Sequence, residues 1–164
     1  MVTLGWVYFR GIGDGKIIAA DLKQSRKYYQ LAVDNGDDRA WYWLGVMCYE
    51  LKDYEAAMAA FKKAARIDLE GNAFQDKSGP EQKAIRNSRP LAMVRIGCMY
   101  REGKGGEGVN YAKARMWFER AAKLGDPSAM NNLSMMYAVG DGVPKDTQLS
   151  EEWFKKYEQA AAKQ

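Results

Sequence analysis

Apolar side chains recur along this chain at three- and four-residue intervals, which gathers them on one side of an α-helix; on a strand they would alternate. At 100° per residue, Trp41, Leu44, Gly45 and Cys48 fall on one stripe. The register returns as Leu4-Gly5…Tyr8, Ile96-Gly97…Tyr100 and Leu133-Ser134…Tyr137. A second periodic stretch follows each, carrying a small residue and then an aromatic pair or its remnant. These are Ser25…Tyr28-Tyr29, Ala57…Ala60-Phe61, Ala114…Trp117-Phe118 and Ser150…Trp153-Phe154. Alanines close three of the stretches, at Ala32, Ala64-Ala65 and Ala121-Ala122, and Tyr157 breaks the series in the last. Glycine in a helix interior costs about 1 kcal/mol relative to alanine, so three glycines at one register point to a packing need. The pattern predicts four helical hairpins in a single repeat domain over residues 1–164. The units run 1–36, 37–69, 90–126 and 127–164, and residues 70–89 form an insertion in which Pro80–Arg86 offers a short helix. A lone hairpin leaves an apolar face uncovered, so such hairpins must stack.

Composition supports an all-α chain: helix formers dominate, and no Val/Ile/Thr-rich alternating segment appears. Candidate chemistry is scarce. With no histidine and only Cys48 and Cys98, a histidine-based triad and any zinc site of histidines or four cysteines are excluded. The two cysteines, each inside an apolar helical stretch, read as small core side chains. Gly11-Ile12-Gly13-Asp14-Gly15 and Gly103-Lys104-Gly105-Gly106-Glu107-Gly108 lack the preceding strand or the Gly-Lys-Ser/Thr ending of a phosphate loop, so turns needing positive φ explain them. Asp141-Gly142 lacks the alternating ligands of a calcium loop. Glu151-Glu152 and Asp37-Asp38 point to different sides of a helix, as sequence neighbours do. Neither a cofactor nor a metal is expected, and the chain is expected not to be an enzyme.

Charge alters the picture in one segment. Lys77, Lys83, Arg86, Arg89, Arg95, Arg101 and Lys104 stand against Glu81 and Glu102, a local +5 beside a net charge of +4. A solvated loop or an acidic protein partner fits this better than nucleic acid, for which no motif or aromatic platform is present. No apolar run approaches the roughly 20 residues of a membrane span. The chain opens inside a helical pattern without a signal peptide. The sequence leaves the compartment open between the cytoplasm and, if a leader has been removed, the periplasm.

The aligned residues resemble Sel1-like repeats, relatives of tetratricopeptide repeats. Ile96-Gly97-Cys98-Met99-Tyr100-Arg101-Glu102-Gly103, running on to Ala112–Ala122 and Gly125-Asp126, is similar to that family, as is Tyr137-Ala138-Val139-Gly140-Asp141-Gly142-Val143-Pro144-Lys145-Asp146. The second unit, Trp41-x-x-Leu44-Gly45-x-x-Cys48…Ala57-x-x-x-Phe61, looks like a plain tetratricopeptide repeat with Cys48 in place of tyrosine. The resemblance implies a right-handed α-α superhelix, or solenoid, of about four hairpins. It also implies a non-enzymatic scaffold that binds a partner protein or peptide in a concave groove. Small bacterial proteins of this kind include adaptors and immunity proteins. A regulatory subunit of an enzyme complex and a solenoid self-assembling through uncapped ends are the alternatives.

First helices would line that groove. The positions opposite the packing stripe gather the residue types of binding hot spots. They name Trp6, Phe9, Arg10, Arg39, Tyr42, Trp43, Tyr49, Arg95 and Arg101, with Asn131, Asn132 and Met135 on the last unit. Of the methionines crowding the last two units, most read as core filler.

Overall fold

The computed structural model describes residue 5, residues 21–66 and residues 80–163, with the side chains of 80–87 excepted. Among these residues there are seven helices and no strand. They are α1 (Leu22–Asp34), α2 (Ala40–Glu50), α3 (Tyr54–Arg66), α4 (Pro80–Glu102), α5 (Tyr111–Lys123), α6 (Pro127–Val139) and α7 (Thr147–Ala161). Short acidic or amide side chains start most of them by accepting from otherwise orphaned first-turn amides. Asp21 accepts from the amides of Lys23 and Gln24, Asn110 from Lys113, Asp126 from Ala129 and Asp146 from Leu149. Where a helix must stop and reverse, glycine takes the left-handed conformation: Gly140 ends α6 at φ 87°. The loop after α4 holds four such glycines, between φ 70° and 93°, as the turn reading of that loop requires.

One device recurs in three of the four hairpins. A ring of the second helix lies against the glycine of the first, so a Cβ added there would collide with it. That Cβ would stand 2.9 Å from Tyr29 at Gly5, 2.6 Å from Phe61 at Gly45 and 2.5 Å from Phe118 at Gly97. Small second-helix residues complete the seam. Ser25 Oγ donates to the Gly5 carbonyl at 2.8 Å, and Ser150 Oγ donates to the Ser134 carbonyl at 2.9 Å. In the fourth hairpin a serine replaces the glycine, and the matching ring, Phe154, is 44% exposed where Phe118 is fully buried.

The chain divides into two compact units, 1–88 and 89–164. In the first, α2 packs on both α1 and α3, and Leu44, Met47, Ala57 and Phe61 are buried. In the second, α6 packs on α5 and on α7, and Ile96, Met99, Phe118, Leu133 and Met136 form the core. The insertion differs from expectation at its end. Instead of a short separate helix, residues 80–89 run without a break into the first helix of the third repeat, with Pro90 inside α4. Pro80 at the helix start costs no hydrogen bond, and Pro90 removes one intrahelical donor. Residues 67–79, the rest of that stretch, lie outside the described residues, as does the Gly11–Gly15 loop.

Candidate functional site

Trp6, Phe9 and Arg10 lie outside the described residues. In the first unit, α2 contributes Trp43, Tyr49 and Tyr42, and Arg39 immediately precedes it. Arg39 grips the Asp37 carboxylate with two nitrogens, Nε at 2.6 Å and Nη2 at 2.7 Å. This pairing, foremost by its side-chain hydrogen bonds, holds the Asp37 carboxyl below its ordinary range. Its guanidinium is thereby committed to the turn before α2. Tyr42 corrects the sequence reading: it is 8% exposed, with its ring 5.9 Å from Phe61 and 5.3 Å from Trp43. It belongs to the core. The physical reason is its i, i+3 spacing from Gly45, which sets it on the side of α2 that faces Phe61 of α3. Trp43 stacks on Tyr29 at 6.3 Å and Tyr49 meets Tyr54 edge-on at 5.3 Å, leaving both half-buried.

In the second unit the named residues lie on the first helices, α4 and α6, and Arg101 and Asn132 meet. Arg95 is exposed. Arg101 Nη1 donates to Asn132 Oδ1 at 2.9 Å, which joins the two helices. Asn132 Nδ2 donates in turn to the Ser128 carbonyl at 2.7 Å. Asn131 approaches Met135 at a long 4.0 Å from amide nitrogen to sulfur, and Met135 is 51% exposed. Between the two arginines lies Cys98, half-buried. Burial foremost pushes its thiol pKa up, against the pull of Arg101, which favours the protonated thiol. The acid nearest in sequence, Glu102, is paired with Lys104 at 2.8 Å. Sequence reasoning missed Val139, 66% exposed one helical turn beyond Met135. Its i, i+4 spacing from an exposed methionine was the available signal. Met93, Met99 and Met136 are core, as helical spacing implied.

Among the described residues no cluster of three or more His, Cys, Asp or Glu side chains could hold a metal, and no helix is long and apolar enough to cross a membrane. The one acidic residue buried in the second unit's core, Asp126, is occupied capping α6.

Comparison with known proteins follows the same division. The Sel1 repeat family model matches residues 90–126 and 127–156, and a tetratricopeptide repeat model matches residues 19–69. Among curated proteins, the chain is 47% identical over 51 residues to an ERAD-associated E3 ubiquitin-protein ligase component, HRD3B, of Arabidopsis thaliana. That match takes in 31% of this chain and 8% of the plant protein. Two solved structures align over nearly the whole chain. A protective antigen of uropathogenic Escherichia coli displaying an SLR fold gives a TM-score of 0.68 at 29% identity, covering 96% of this chain and 29% of that one. A Sel1 repeat protein from Oxalobacter formigenes gives 0.67 at 25% identity, covering 97% and 40%. The chain thus spans well under half the length of each.

Proposed function

We propose that this chain, with Sel1 repeats over residues 90–126 and 127–156 and a tetratricopeptide repeat match over 19–69, is a non-enzymatic scaffold that captures a partner protein on the first-helix face of its second unit. Repeats of this family are protein–protein interaction scaffolds, and the proposal gives that role a location and a charge preference. The observation that carries it is the Arg101–Asn132 bridge beside exposed Met135. Packing does not require an arginine or a half-exposed methionine there, whereas arginine and methionine are enriched where proteins meet. Arg95 adds positive charge, so an acidic partner surface is favoured. Trp43 and Tyr49 extend the reading to the first unit only through their exposed edges.

Its finer form is a component of a larger assembly, a role that the name of the Arabidopsis relative assigns to that protein. A second form, a bacterial adaptor or immunity protein that masks a partner, draws on the two bacterial structures aligned over 96% and 97% of the chain. The test is site-specific photocrosslinking in native extract, with benzoylphenylalanine in place of Met135 or, on the second-helix side, of Met116. A discrete adduct from position 135, lost on adding Arg95→Glu and Arg101→Glu, is expected. Equal labelling from position 116, or an adduct indifferent to the charge reversals, would overturn the location.

A further inference from the structure

The α4–α6 face of the second unit is divided by chemistry. Arg101 is tethered by one guanidinium nitrogen to Asn132 at 2.9 Å, and Asn132 is itself anchored to the Ser128 carbonyl at 2.7 Å. A guanidinium carries five N–H donors in a rigid fork, so one held by a single nitrogen is oriented while its other donors remain for a carboxylate. Glu102 is engaged by Lys104, and exposed Arg95 stands on the same helix, so the local field stays positive. Beyond Asn132, one and then two turns along α6, lie Met135 at 51% and Val139 at 66% exposure. Two exposed apolar side chains at i and i+4 form one continuous patch, and it begins where the tether ends.

We infer that this face docks a segment of a partner protein in which an acidic residue stands beside an apolar one. The carboxylate meets Arg101, the apolar side chain covers Met135 and Val139, and Asn132 is a positioning residue that aims Arg101. The inference rests on the scaffold reading above and supplies the chemistry of the partner. Phosphates of a nucleic acid would also suit Arg101, but they would gain nothing from Met135 and Val139. None of the described side chains on this face is an aromatic platform for bases.

Random peptides displayed on phage, selected on the full chain, give probes whose binding is then read by fluorescence anisotropy. The enriched peptides should pair Asp or Glu with Leu, Ile, Met or Phe. Replacing the acid by its amide should weaken binding about tenfold, and Arg101→Gln should abolish that difference. Met135→Asp and Val139→Asp should weaken binding by a similar factor without moving the melting temperature. Asn132→Ala should weaken binding several-fold, flatten its salt dependence and have no further effect on top of Arg101→Gln, as coupled positions behave. Full additivity of those two would overturn the positioning role. Selected peptides without acids that still respond to Met135→Asp would overturn this inference and leave the scaffold reading standing. So would an oligothymidine binding more tightly than any of the peptides. Peptides indifferent to every variant of the face would instead sink the scaffold location itself.

Discussion

Gly97 lies so close beneath the Phe118 ring that a single added methyl would stand 2.5 Å from a ring carbon. Alanine improves helix propensity by about 1 kcal/mol at an ordinary site, but here overpacking of about 1–3 kcal/mol opposes it. Gly97→Ala is therefore expected to lower the urea midpoint; a variant as stable as the parent would contradict the register. Tyr29 presents the reverse case. Its ring is fully buried over Gly5, its hydroxyl has no hydrogen-bond partner among the described residues, and burial raises its pKa beyond the ordinary phenol range. An unmade buried hydrogen bond costs about 1–3 kcal/mol, so Tyr29→Phe should raise stability by about 1 kcal/mol in the same titration. Asp126 carries a pH signature. Burial foremost raises its carboxyl pKa, against lowering hydrogen bonds from the Ala129 and Ser128 amides. A folded-state pKa above the unfolded one favours folding at low pH, and that contribution is lost as pH rises through the folded value. Asparagine keeps the cap without the charge. Asp126→Asn should thus match the parent near about pH 3 and become the more stable of the two toward about pH 7; a constant offset would refute the cause. The glycine register was legible in the sequence because it recurs. The burial of Tyr42 was not, because it flanks the glycine stripe at i, i+3 and only the position of the Phe61 ring shows that the stripe's cover reaches it.

Helix ends and helix packing obey different rules in this chain, and α7 separates them. Its hairpin seam is a pair of serines, Ser134 and Ser150, where other hairpins set a ring over glycine, and none of its residues is fully buried. With little burial to hold it, α7 relies more on its ends. Asp146 accepts from the Leu149 amide at 2.9 Å. Asp146→Ala should cost about 1 kcal/mol, a typical N-cap value, and amide exchange should quicken throughout α7 while α6 retains its protection. Loss confined to the first turn of α7 would mean that tertiary contacts, not the cap, hold the helix. The alignment of the four repeats exposed the Gly-to-Ser change at this register, but the exposure of Phe154 appears only once neighbours are present. The same limit applied to α4. The insertion was expected to end at residue 89, yet the helix begun at Pro80 runs on through Pro90, since a proline interrupts one donor only.

The candidate face lies wholly between residues 89 and 164, a unit with its own core of Ile96, Met99, Phe118, Leu133 and Met136. Two hairpins fall short of the roughly three that a repeat array ordinarily needs, since stability there is the sum of weak units and their shared faces, so its own core must carry this unit. Sequence periodicity made the fold and the existence of first-helix faces legible. It could not say which face stays open, because hot-spot residue types in the first unit are the same types that fill its core. Trp43 and Tyr42 illustrate this: each satisfied the pattern, and each is engaged with a neighbouring ring. Recognition by polar anchors is easier to localise than recognition by aromatics, since Arg101 and Asn132 must point to something other than core. A fragment of residues 80–164 is accordingly expected to fold cooperatively but with a lower urea midpoint than the full chain, and to retain peptide binding within about threefold, a loss under about 1 kcal/mol. Circular dichroism establishes the first point and anisotropy with the same selected peptides the second. A fragment that folds but binds nothing would move the site out of the second unit, whereas one that binds as the full chain does would confine recognition to two repeats.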